Sequence, residues 1–496
     1  MLKYLDNFLN SITMYRLMMY GLIGQFVFAV LLATGNFIAY SPAQMIVSAI
    51  VLTCVAYGSN ILFARVYQAV TNAESSVITA LLLFFIMDPG AATWQTFWIL
   101  PLASVLAMLS KYVLAIHRRH LFNPVAITAV LFHLLGIGAA LWWVATPLLF
   151  PFVVIFGLLV VRKLRRFHLV FPFFVTACLV AFFRGEQLSV FVLSWPLIFF
   201  GTMMLTEPRT APSKRRDQIL YGIFVGALFA SPFSIGSFSM TPEWTLVITN
   251  LFAYLASSKQ VLKLTFKETK KCTAQVCDFT FVPDQNVQFI PGQFLEWTLP
   301  LTKTDTRGNR RFFTIASSPN DAEIHLGVRI DLEHGSAFKQ ALTKMNEGDV
   351  MYASHAAGEF VLPKDPDQKL VFVAGGIGIT PFWSMIKWLF ETNQKRDIIL
   401  FYAANTENDF VYQQELNACA DQIGMRIVYL VGKPSVGWTG KTGYITREMI
   451  ESEVTNPTTR QYYFSGPPAM VESYVNLVRS IGVSKRNIKT DYFPGF

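Results

Sequence analysis

Leu370-Val371-Phe372-Val373-Ala374-Gly375-Gly376-Ile377-Gly378-Ile379-Thr380-Pro381 joins an unbroken apolar run to a glycine-rich turn. An apolar run without polar alternation is the pattern of a parallel strand buried on both faces. The residues after the turn read as a helix from about 381 to 390. Strand, glycine turn and helix in that order leave bare backbone N–H groups at a helix start, where a nucleotide phosphate binds. Further strand-like runs lie at 398–404, 426–431 and 462–465, with helical stretches between them. Alternating strands and helices predict a doubly wound α/β domain over 366–496, with its ligand at the carboxyl ends of the strands.

Before it, runs at 261–266, 274–281 and 294–299 are separated by turn residues such as Pro291-Gly292-Gln293, the pattern of a small antiparallel β-barrel over 261–365. Arg311-Phe312-Phe313-Thr314-Ile315-Ala316-Ser317-Ser318-Pro319 follows. It resembles the Arg-x-Tyr-Ser/Thr signature of the ferredoxin–NADP reductase superfamily, with Phe313 in place of the tyrosine. The resemblance implies an FAD site. Arg311 would pair with the flavin pyrophosphate, Phe312 and Phe313 would supply aromatic packing, and the Thr314 hydroxyl would bond the flavin N5 that accepts hydride. The strand-like run 323–330, with Val328 and Arg329, and the loop Gly335-Ser336-Ala337-Phe338 look like the family's next strand and pyrophosphate loop. Small residues there let backbone N–H groups approach phosphate. Gly348-Asp349 and Gly358-Glu359-Phe360 resemble the barrel's closing segment.

The same resemblance assigns Gly375, Gly376, Gly378, Thr380 and Pro381 to NAD(P)H. It also implies that Ser465-Gly466-Pro467-Pro468 lies at the nicotinamide, with Ser465 beside Gly466 and Pro467. The terminal Asp491-Tyr492-Phe493-Pro494-Gly495-Phe496 resembles the segment that approaches the flavin, with Phe493 as the shielding aromatic and Phe496 near the cofactor. Thr314, Ser465 and Phe493 are the expected catalytic positions. The loop Asn405-Thr406-Glu407-Asn408-Asp409 is acidic where a 2′-phosphate wants Arg or Lys, so NADH is favoured over NADPH. Arg460 and Lys433 are the basic residues that could still reach the nucleotide.

The first half has a different composition. The chain of 496 residues is 53% hydrophobic and 15% charged, and residues 1–260 are nearly free of acids. Ten apolar stretches predict an α-helical membrane domain, roughly 14–38, 43–64, 75–87, 92–115, 122–138, 146–161, 168–183, 188–205, 218–236 and 242–258. Several fall short of the ~20 residues of a full crossing. They break at polar, proline-containing points such as Met87-Asp88-Pro89-Gly90, as discontinuous helices of inverted repeats do. With a cytoplasmic start, every basic residue of this half except Arg184 falls on the cytoplasmic side, and the soluble half is returned there. This predicts a multi-pass protein of a bacterial-type inner membrane with a lipid surround. The net charge of +9 is explained by that distribution, without nucleic acid. Five scattered cysteines give neither a disulfide framework nor a metal site.

Ser110-Lys111-Tyr112, Phe122-Asn123-Pro124, Leu205-Thr206-Glu207-Pro208-Arg209-Thr210-Ala211-Pro212 and Glu74-Ser75-Ser76-Val77-Ile78-Thr79 carry a second resemblance. It is to the NqrB/RnfD family, membrane components of the sodium-translocating NADH:quinone reductase and of the Rnf complex. This implies paired five-helix repeats around a flavin, with Lys111, Asn123, Thr206 and Glu207 as site candidates. That family attaches FMN to a threonine in Asp-x-x-Ser/Thr-Gly-Ala-Thr. The nearest candidate here is Thr146, preceded by Ala140, Trp143, Val144 and Ala145, so a non-covalent FMN or another carrier is the expectation. Together these readings describe a flavoprotein oxidoreductase that passes electrons from cytoplasmic NAD(P)H through FAD into a membrane domain. The acceptor would be a quinone or an extracytoplasmic redox protein. Two alternatives share parts of the pattern. A haem-type ferric reductase or NADPH oxidase needs histidine pairs on two spans, and only His120 and His133 are suggestively spaced. A redox-coupled ion transporter would use the broken helices but finds few acids within the spans.

Overall fold

The computed structural model describes residues 5, 8–9, 12–67, 69, 73–91, 97–116, 119–212, 215–231, 233–235, 238–256, 261–301, 309–331, 335–354 and 356–492. The chain divides into two compact units, Met1–Gln260 and Val261–Phe496.

The first unit is helical, with a helix at each of the ten apolar stretches. They are α1 Met14–Thr34, α2 Pro42–Val66, α3 Ala73–Ile86, α4 Ile99–Val113, α5 Pro124–Leu134, α6 Phe150–Leu164, α7 Phe167–Phe183, α8 Leu188–Ser194 continued as α9 Leu197–Phe199, α10 Arg215–Phe229 and α11 Pro242–Ala256. Pro196 splits the eighth stretch, because proline has no N–H to continue the ladder, and α9 runs on as a π-helical turn, Phe200–Met204. By length and composition, α1 and α2 are long and apolar enough to cross a membrane, while α3, α4, α5 and α7 are apolar but shorter.

The packing repeats. In the first five helices α1 lies on α3, α2 on α4 and α4 on α5; in the second set α6 lies on the π turn, α7 on α10 and α10 on α11. First meets first (α1 with α6) and fifth meets fifth (α5 with α11). Each set places a short hairpin between its fourth and fifth helices, β1 Ala115–Ile116 with β2 Arg119–His120 and β3 Ser234–Ile235 with β4 Phe238–Ser239. Each follows its third helix with an acid–proline pair, Asp88-Pro89 and Glu207-Pro208. Gly222 and Gly226 let α10 ride on the backbone of α7: a Cβ there would lie 2.4 Å from Leu169 O and 2.6 Å from Phe173 O. Small residues four apart on a helix permit this approach.

The second unit opens with β5 Leu262–Lys271, β6 Val276–Pro283, β7 Phe294–Thr298, β8 Arg310–Thr314, β9 Ile324–Arg329, the short helix α12 Ala337–Leu342 and β10 Val350–Ala353. The strands form one antiparallel sheet in the order β8-β7-β10-β5-β6-β9 around a core that includes Trp297, Phe281 and Leu326. There follow β11 Leu370–Gly375, α13 Thr380–Glu391, β12 Ile398–Ala404, α14 Gln413–Ile423, β13 Met425–Val431, β14 Lys441–Thr442, α15 Arg447–Glu453, β15 Gln461–Gly466, α16 Pro468–Ser480 and β16 Ile488–Tyr492. The second sheet is parallel, in the order β14-β13-β12-β11-β15-β16. The chain runs outward from β11 to β14, then returns to lay β15 on the other side of β11. A switch point therefore falls between β11 and β15, where open α/β sheets hold ligands.

Candidate functional site

At that switch point the glycine turn and the end of β15 meet backbone to backbone. A Cβ on Gly378 would lie 2.3 Å from Ser465 O and 2.8 Å from Gly466 Cα, and one on Gly375 would lie 2.4 Å from Met470 Sδ. Gly376 has φ +54 and open space where a side chain would point, so its backbone is approachable. The Thr380 hydroxyl donates to Ile377 O at 3.1 Å, and Pro381 sits in the first turn of α13. Pro467 precedes α16. Two helix N-termini, of α13 and α16, thus begin at one crevice, each favouring negative charge. Ser465 is fully buried, and its hydroxyl has no hydrogen-bond partner.

On the barrel, Thr314 ends β8 opposite Phe294. It too is buried, with an unpartnered hydroxyl. Arg311 lies with its guanidinium carbon 5.4 Å from the centre of the Phe338 ring and donates to Arg310 O at 2.6 Å. Phe313 packs on Phe338, while Phe312 is 62% exposed, edge-on to Phe294. The aromatic left open at this strand is therefore Phe312 rather than Phe313. Gly335 is required by crowding, since a Cβ would lie 2.2 Å from Asp331 O. Ser336 caps α12 by accepting from Lys339 N at 3.4 Å, and Ala337 begins that helix. The Val328 side chain is buried in the barrel core, and Arg329 is exposed and donates twice to Gln275 Oε1. Phe493 and Phe496 lie outside the described residues.

A buried hydroxyl without a partner costs ~1–3 kcal/mol. Thr314 and Ser465 each carry one at the positions expected to face the flavin and the nicotinamide. These residues fit FAD and a nicotinamide dinucleotide. In the loop after β12, Asp409 Oδ2 accepts from Thr406 N and Oγ1, while the Glu407 carboxylate accepts from Ser435 N and Oγ. Lys433 N donates to Asn405 O, so Lys433 borders this loop. Arg460 corrects an expectation. It is 2% exposed and grips Asp397 through two bonds of 2.6 and 2.9 Å at the amino ends of the strands, opposite the crevice. It holds the sheet and does not reach the nucleotide.

Three residues went unread in the sequence. Tyr412 OH donates to Asp278 Oδ2 at 2.8 Å, and His325 Nδ1 lies 3.3 Å from Asp278 Oδ1. Burial lowers the His325 pKa, but the bond to Asp278 and its charge outweigh this and leave it raised. The available signal was Asp278 as the lone charged residue of the strand Val276–Pro283.

In the helical unit, Asn123 and Glu207 do come together. Glu207 accepts from Asn123 Nδ2 at 3.0 Å and Thr210 Oγ1 at 3.2 Å and lies 2.9 Å from His120 Nε2. Asn123 also caps α5, its Oδ1 accepting from Val125 N and Ala126 N. Lys111 Nζ donates to Ser75 O, Ser75 Oγ and Thr79 Oγ1, tying α4 to α3. The Thr206 hydroxyl is spent on Thr202 O at 2.6 Å. Thr146 stands apart from this group, accepting from Leu148 N before α6. A cluster not expected from the sequence lies at the start of α11: Glu243 accepts from Trp142 Nε1 at 2.9 Å, and the buried polar atoms Thr241 Oγ1, Trp244 Nε1 and Thr245 Oγ1 have no partner.

Residues 372–476 match the family model described as oxidoreductase NAD-binding domain. The chain is 28% identical over 216 residues to the glycine betaine monooxygenase reductase subunit of Pseudomonas aeruginosa, covering 42% of this chain and 58% of that protein. It is 30% identical over 201 residues to the F component of the Na(+)-translocating NADH-quinone reductase of Actinobacillus pleuropneumoniae, covering 37% and 49%. Among solved structures, it is similar to the flavohem-like FAD/NAD binding domain of nitric oxide dioxygenase from Vibrio cholerae O1 biovar El Tor. That likeness has a TM-score of 0.42 and 19% identity and covers 47% of this chain and 98% of that one. The chain spans 58% to 61% of the length of the glycine betaine monooxygenase reductase subunits it matches. With the family-model match and the two relatives added to the fold and the crevice, the C-terminal half carries an oxidoreductase NAD-binding domain and fits FAD and NAD(P)H as its cofactors.

Proposed function

We propose that this chain is a membrane flavoprotein reductase that draws electrons from cytoplasmic NADH and delivers them through its helical unit to a quinone or an extracytoplasmic redox protein. The observation that carries the reading is the pairing of two buried, unpartnered hydroxyls, Thr314 on the barrel and Ser465 at the switch point. Arg311 and the Gly335-Ser336-Ala337 loop hold the flavin pyrophosphate. The turn at Gly376 and the start of α13 hold the dinucleotide phosphates. Thr314 offers its hydroxyl to the flavin ring edge, and Ser465 offers its own to the nicotinamide. Bound FAD supplies acceptance of two electrons and their release one at a time. Glu407 and Asp409, fixed by Ser435 and Thr406, place negative charge where a 2′-phosphate would lie, which favours NADH.

The membrane part rests on α1 and α2, on the apolar shorter helices packed with them, and on basic residues that a ten-span threading from a cytoplasmic start would gather on one side. A relative named for NADH and quinone supports that donor and that class of acceptor. The unpartnered atoms of Thr241, Trp244 and Thr245 support a second, non-covalent carrier in the helical unit, FMN being the one its sequence resemblance implies. The test is anaerobic addition of NADH to detergent-purified protein. Flavin absorbance bleaches on the reductase reading, and an unbleached flavin sinks it. Denaturing extraction of the same sample separates FAD alone from FAD with FMN, and a Soret band would move the reading to the haem-type alternative.

A further inference from the structure

Tyr412 is held in a conformation that side chains other than glycine rarely adopt, φ 58 and ψ 23. For a bulky residue this is strained, and such strain persists only where the surroundings enforce it. Three contacts do so. Val411 N donates to Tyr402 OH at 2.9 Å, tying the segment to β12. The Tyr412 ring stacks on Trp383 of α13, the helix that opens from the glycine turn, with centroids 5.2 Å apart and planes at 19°. Its hydroxyl donates to Asp278 on β6 of the barrel. Burial and the Asp278 carboxylate push the Tyr412 pKa well above 10, so the phenol stays a donor.

Asp278 stands opposite Gly327 in the β6–β9 register. Both lie on the strand face turned away from the barrel core, because the alternate residues Phe279, Leu326 and Val328 fill that core. Gly327 leaves the room the seam needs: a Cβ there would lie 2.8 Å from Thr380 Cγ2 and 3.1 Å from Tyr412 OH. Barrel strand, glycine turn and strained tyrosine therefore meet at one point.

We infer that Tyr412 and Asp278 are positioning residues that set the separation between the glycine turn and barrel strand β9, and with it the approach of the nicotinamide to the flavin. The inference rests on the reductase reading. Neither residue touches the reacting atoms. Each acts through the placement of α13 and β9, and a misplacement of about 1 Å costs roughly a hundredfold in rate.

The experiment is anaerobic stopped-flow reduction by NADH of the full-length wild type, Tyr412→Phe, Asp278→Asn, the double variant and Gly327→Ala. The limiting rate is expected to fall about ten- to a hundredfold, while the NADH dissociation constant stays within about twofold and bound FAD is retained. The double variant should be no slower than the slower single one, as for two ends of one bond. Gly327→Ala, which presses on the seam from the barrel side without removing the bond, should slow the same step. Wild-type limiting rates in Tyr412→Phe and Asp278→Asn overturn the clamp, as does a rate loss that only tracks lost FAD in all three single variants. A wild type that NADH does not reduce overturns the reductase reading instead.

Discussion

Thr314→Val removes a buried hydroxyl at almost constant shape. Because that hydroxyl has no partner within the protein, FAD-stripped Thr314→Val should melt at or above the temperature of the stripped wild type. The same change should weaken FAD retention by about 1–2 kcal/mol, read by FAD titration. Arg460→Met should behave oppositely. It leaves Thr455 O without its donor and should cost about 1–3 kcal/mol in urea unfolding, with no change in NADH affinity. Burial raises the Asp397 pKa, but the bond and charge of Arg460 overcome this and hold it below its ordinary value of 3.8. The stability from that pair is therefore present above 3.8 and is lost as pH falls through the folded value, and Arg460→Met should flatten this acid limb. Thr314 and Ser465 stand out in the sequence as candidates because a short motif carries each. Tyr412 was not, because its partner Asp278 lies 134 positions away and no local pattern links them.

At the scale of elements, regular patterns are legible in the sequence and breaks are less so. The strand expected at 398–404 is β12, Ile398–Ala404, and the helix expected at 381–390 is α13, Thr380–Glu391, because an apolar run and a glycine turn each bound their element physically. The stretch 188–205, expected to be one span, is instead split at Pro196 and finished by a π turn, since hydrophobicity alone does not register a lost backbone donor. β14, two residues long, has too little sequence for a periodicity. The glycine pair on α10 offers the sharpest test of helix packing. Gly226→Val would drive a branched side chain into Phe173 O and separate α10 from α7. It should lower the melting temperature of the detergent-solubilised protein by several degrees for each ~1 kcal/mol lost, with NADH binding to the second unit retained.

At the scale of the whole molecule, the proposed membrane reading predicts that the protein stays in the pellet after alkaline carbonate extraction. Release into the supernatant would contradict it. The repeat adds a stricter demand. Five is an odd number, and a chain that reverses direction at every helix leaves such a set on the side opposite its entry. On that reading the second set is laid in upside down, and its hairpin faces the other compartment from the hairpin of the first. Ile116 and Ser234 are both exposed in these hairpins. In a background lacking the exposed Cys54, Ile116→Cys and Ser234→Cys should react with an impermeant maleimide from opposite faces of a sealed vesicle, Ile116→Cys from the face that oxidises NADH. On the proposed membrane reading, the parity of a helix count decides which compartment each hairpin of the helical unit faces.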